Sequence, residues 1–105
     1  MIEATAPRPA GTGSPVPAES SAELVRIRRR FTELTIDDAR TGMHRARPLL
    51  DLLTDRLGQP PVPDLGPAVV PDQLTVLVYD VYAVAAGADA TADLPAHLAD
   101  LRRAL

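Results

Sequence analysis

Arg26, Arg28, Arg29 and Arg30 form the densest run of charge in the chain. Guanidinium forks match phosphate oxygens, so a helix face carrying Arg26, Arg29 and Arg30 is a candidate contact for nucleic-acid phosphates. The same run has acidic partners at helical ion-pair spacing: Glu23 lies three residues before Arg26, and Glu33 lies three after Arg30 and four after Arg29. No aromatic residues interleave with the arginines, and the whole chain carries a net charge of −3. A nucleic-acid partner is therefore the alternative expectation, not the leading one. Arg40, His44, Arg45 and Arg47 extend the basic character further along the chain.

Two other groupings invite chemistry. His97 has Asp93 four residues before it and Asp100 three after, a spacing that puts one imidazole and two carboxylates on one side of a helix. The same spacing describes a surface histidine with local ion pairs, which is the commoner arrangement. Asp80 stands alone as a charge inside an apolar stretch, beside Tyr79 and two residues before Tyr82. Two structural roles suit it equally: a buried carboxylate paired with an arginine of another helix, or a carboxylate on the one solvated edge. General-base work would need a nucleophile or a metal pattern beside it, and neither is present in the sequence. The serines stand only at 14, 20 and 21, and cysteine is absent. With no glycine-rich phosphate loop either, the sequence predicts a non-enzyme with no cofactor and no metal.

Which elements would position these residues? Residues 1–18 hold Pro7, Pro9, Pro15 and Pro17 with Gly11 and Gly13 among small side chains. Such a segment buries too little to offset its ordering entropy, so a disordered arm over 1–18 and one helical domain over 19–105 are expected. Ser20 with Glu23 has capping-box spacing and predicts the start of a first helix, whose apolar face is Leu24, Ile27, Phe31 and Leu34. Ile36, Ala39, Met43, Ala46, Leu50, Leu53 and Leu57 alternate spacings of three and four, a seam for packing against another helix. Gly58 is placed to end that helix, while Gly42 and Pro48 disagree with it, and Pro48 should kink it. Thr35 and Asp38 could cap a separate second helix, yet no glycine or proline separates the two stripes, so one long bent helix stays open.

Five prolines between 59 and 71 exclude helix and central strand there, and the interleaved Val62, Leu65, Val69 and Val70 suggest a stiff strap lying over the core. A third helix is expected from about Asp72 to Gly87, apolar nearly all round because Val76, Tyr79, Ala83 and Val84 stand opposite its main face. A fourth, carrying Leu94, Leu98, Leu101 and Leu105, should start near Thr91 or Asp93.

The expected fold is all-α, a small bundle of three or four helices with a proline-rich strap. Its most apolar stretch, residues 74–86, is too short and carries a charge, so no membrane span is expected, and a cytoplasmic location follows. Charge is uneven: residues 1–58 hold nine arginines against eight acids, and residues 59–105 hold two against six. The seam and the apolar third helix together offer more apolar surface than so small a bundle buries comfortably. The functional expectation is a non-catalytic interaction subunit, accessory, adaptor or assembly, binding another protein or itself. Candidate contact residues are Met43, Val76, Tyr79 and Asp80, with Arg26, Arg29 and Arg30.

Overall fold

A computed structural model describes residues 14–105. The disordered arm expected at 1–18 therefore falls mostly outside the described residues. Its last part does not behave as an arm: Val16 packs, half-buried, against the core, and the Pro17 carbonyl accepts from the Ser21 amide at 2.9 Å.

Four helices form: α1 (Ala18–Glu33), α2 (Ile36–Leu57), α3 (Val70–Val84) and α4 (Leu94–Ala104). Among the described residues there is no strand. The all-α expectation stands, and the described residues form four α-helices. The first and second helices are separate. Leu34 and Thr35 turn to extended backbone, and the Thr35 side chain accepts from the Asp38 amide at 3.1 Å, satisfying a donor the new helix would leave free. Gly58 ends α2 in the left-handed region at φ 66°, which a side chain would strain.

Ser20 is not a cap. It lies inside α1, two residues past its start, and is fully buried. Its hydroxyl shares a 2.7 Å hydrogen bond with Tyr82 Oη, while Glu23 turns to Arg102 instead of to a backbone amide. Helix α3 begins at Val70 with Pro71 in its first turn and ends at Val84, three residues short of the expected glycine stop. Helix α2 continues through Pro48, which faces solvent, so the amide that proline lacks is missing on the wet side.

The core joins one stripe from each helix: Ile27 and Phe31, Ala46, Leu50 and Leu53, Leu74 and Val78, Leu94 and Leu98. Thr54 is buried among them and satisfies its hydroxyl within α2, donating to the carbonyls of Leu50 and Asp51. Gly42 is buried because Phe31 and Leu105 close over it; a Cβ there would lie 2.8 Å from Leu105 Cδ2 and 3.3 Å from Phe31 Cζ. The seam on α2 thus faces the core from Ala39 to Leu57, fully buried at Ala46, Leu50 and Leu53, but Ile36, its expected first member, is exposed.

The strap explains the topology. Arg47 donates to the Val62 carbonyl at 2.9 Å, and Gln73 to the Pro63 carbonyl at 3.1 Å. Pro67 and Ala68 then share a groove with Ile36 and Ala39, at the opposite end of α2 from Gly58. The segment therefore returns along the full length of α2, and α3 starts where α2 started. Helices α2 and α3 run parallel. A 3-10 turn at Pro67–Val69 leads into α3.

Candidate functional site

Two contacts bracket the junction of α1 and α3. Arg28 Nη2 lies 2.8 Å from Asp72 Oδ1 and 3.4 Å from Thr75 Oγ1 at one level, and Ser20 meets Tyr82 at the other. These helices run antiparallel, so Val25, one turn before Arg28, and Tyr79, one turn after Thr75, come to the same level. Both are exposed, at 56% and 46%, and Val76 beside them is 58% exposed. Ala83 continues the face one turn beyond Tyr79 and is exposed as well. The result is an apolar patch across two helices with no described residue covering it.

The other sequence-predicted residues are placed differently. Met43 is half-buried and packs against the core. Asp80 is half-exposed beside Val76 and meets no arginine among the described residues; of its two expected structural roles, the solvated edge is the one observed. The arginine run is divided. Arg26 lies 3.5 Å from Glu23, Arg28 joins Asp72, and Arg30 donates to the Leu105 carbonyl at 3.0 Å with Glu33 at 3.9 Å. Arg29 alone of the four makes no ion pair among the described residues. Arg26, Arg29 and Arg30 are all exposed at the spacing that shares one face of α1, while Arg28 is turned to α3.

His97 Nε2 lies 3.1 Å from Asp93, but Asp100 turns to Arg103 at 2.8 Å. Asp93 is held chiefly by Arg56, at 2.5 Å, whose hydrogen bonds draw its carboxyl pKa down to about 2. Asp93, the carboxylate nearest His97, is thus engaged in an ion pair with Arg56 that fastens α2 to the turn before α4. Among the described residues, no three His, Asp or Glu side chains gather as a metal would need. No described helix is long and apolar enough to cross a membrane.

Sequence reasoning missed three residues of the surface. Val25 sits outside the apolar stripe of α1, and a lone valine among polar residues carries no periodic signal. Ile36 continued the α2 seam by spacing, although the chain had already turned away from the core. Leu65 was read as strap lining, yet it points outward. Compared with known protein families, characterised proteins and solved structures, the chain matches none.

Proposed function

We propose that the protein is a non-catalytic interaction subunit, an accessory, adaptor or assembly component, that engages another protein through apolar helix faces. The supporting observation is the uncovered patch of Val25, Val76 and Tyr79 across α1 and α3. Single exposed apolar side chains are ordinary on a protein surface, whereas several at one level on adjacent helices form the kind of patch that partners cover. Tyr79 suits the centre of such a contact, since it offers a large apolar ring with few rotamers and a polar tip.

The test is affinity capture with the full chain from its source cells, against a Val76→Asp, Tyr79→Asp variant of unchanged helicity. A protein retained by the natural chain, lost with the variant and indifferent to nuclease supports the reading. Equal retention by both chains would sink it. Loss on nuclease treatment would favour the arginine face of α1 and a nucleic-acid partner.

A further inference from the structure

The described chain begins beside the patch. Pro15 and Pro17 share a hollow with Tyr82, Ala85 and Gly87 at the end of α3. Tyr79 lies one turn back along α3 from Tyr82, and Val84 to Val76 is about 12 Å at about 1.5 Å per residue. Residues 1–13 precede Ser14 and can span about 40 Å at about 3.1 Å per extended residue. Pro7, Arg8 and Pro9 fall about 16 to 22 Å of chain before Ser14, enough to lie over Tyr79 and Val76.

The molecule already covers the other flank of α3 in this way. The strap leaves α2 at Gly58, and the Arg56–Asp93 pair puts that end of α2 beside the start of α4. Pro95, in the first turn of α4, lines the hollow at Pro15, so strap and arm set out from one end of the bundle. The strap takes the α2 side of α3, where Arg47 and Gln73 donate to its carbonyls. The α1 side holds the patch, which no described residue covers. Proline suits such a cover, because its fixed ring loses little freedom on lying against a tyrosine. A short tether also holds the segment at about millimolar effective concentration, so a contact too small to retain a free peptide suffices.

The charges around the patch match the same segment. Arg28 and Asp72 are taken up by each other, Arg26 lies by Glu23 and Arg30 by Glu33. Two charges bordering the patch make no ion pair among the described residues: Asp80, beside Tyr79, and Arg29, one turn after Val25. The charged side chains of residues 1–13 are Glu3 and Arg8. Leading away from Ser14, the arm presents Arg8 first and Glu3 later, while the surface presents Asp80 first and Arg29 about a turn beyond. Each meeting joins opposite charges. Glu19, exposed in the hollow at Pro15, is a competing acid on the way, and Arg8 held there would leave the patch uncovered.

We infer that residues 1–13 lie back over the face between α1 and α3, with Pro7 and Pro9 on Tyr79 and Val76, Arg8 at Asp80 and Glu3 at Arg29. That face is the one proposed above to engage another protein, so the arm competes with that protein, and in this respect the inference rests on that reading.

Nuclear magnetic resonance of the full chain tests it. Overhauser contacts should link the Pro7 and Pro9 rings to the Tyr79 ring and the Val76 methyls, at intensities that dilution does not change. Arg8→Glu should lower the ratio of docked to free arm by roughly threefold or more, and adding Asp80→Arg should restore it. Absence of the contacts overturns the inference. So does a docked population that Arg8→Glu leaves unchanged, or that responds to Glu19→Gln and not to Asp80→Asn. Contacts that vanish on dilution belong to a second copy and overturn it as well. Affinity capture keeps the two readings apart. An arm that docks on a chain capturing no protein leaves the inference standing and removes the interaction reading. Capture through Val76 and Tyr79 by a chain lacking the Overhauser contacts does the reverse. Where both hold, Arg8→Glu should capture more protein than the natural chain, and equal capture overturns the competition.

Discussion

Arg102 grips both oxygens of Glu23, with its Nε 2.5 Å from Oε1 and its Nη2 3.3 Å from Oε2. The pair joins α4 to α1 across most of the chain's length, and Glu23 is buried beneath it. The hydrogen bonds from Arg102 hold the Glu23 carboxyl below its ordinary pKa against the opposing effect of burial.

Removing Arg102 strands that carboxylate. Arg102→Ala should therefore destabilise the fold more than Arg26→Ala, although both arginines face Glu23, because Arg26 approaches only to 3.5 Å and is well exposed. Glu23→Gln keeps the shape and loses the charge, so it should fall between them. Urea denaturation of the three variants ranks the losses, and an equal loss from both arginines would refute the ordering.

The Arg56–Asp93 pair gives a pH dependence with a definite sign. Asp93 titrates at about 2 in the fold against 3.8 ordinarily, so its contribution is full above the ordinary value and fades as pH falls through about 2. Asp93 is nearly half exposed, and solvent screening keeps the contribution to about 1 kcal/mol or less. Asp93→Asn should cost that much at neutral pH and almost nothing near pH 2. Stability curves of the two chains converging in acid, and sooner in high salt, are the expected readout.

Ser20 and Tyr82 make a third test, because they share one hydrogen bond between α1 and α3. Ser20→Ala and Tyr82→Phe should each cost about 1 kcal/mol, and the double variant little more than either alone. A helix cap at Ser20 would instead give a loss independent of residue 82. Thermal unfolding of the double-mutant cycle distinguishes the two.

Where the sequence could be read, the reading came from repetition. Leu50 and Leu53, Leu74 and Val78, and Leu94 and Leu98 recur at helical spacing, and all are core. Thr35 and Gly58 were legible as ends because capping is local chemistry, decided by one side chain or one glycine. Ser20 and Glu23 were misread because the same two side chains satisfy either a local amide or a distant group. Only the packing of α3 and α4 beside α1 decides between them. Gly42 looked like a flaw in α2, yet its reason lies with Phe31 and Leu105, which no local pattern reveals. The candidate surface was half legible: Val76 and Tyr79 followed from an all-round apolar helix, whereas Leu65 and Ile36 depended on how the chain turned at each end of the strap.

The returning strap has a consequence for how this molecule can change over generations. A helix advances about 1.5 Å per residue and an extended proline-rich segment about 3.1 Å, so roughly ten strap residues match the 22 of α2. Lengthening α2 by one turn would demand about two more strap residues, and trimming the strap would pull α3 out of register with α2. A change of length in one of these two segments should therefore destabilise the fold unless the other changes with it. The stretch that looks most expendable on the page is the ruler against which the longest helix is measured.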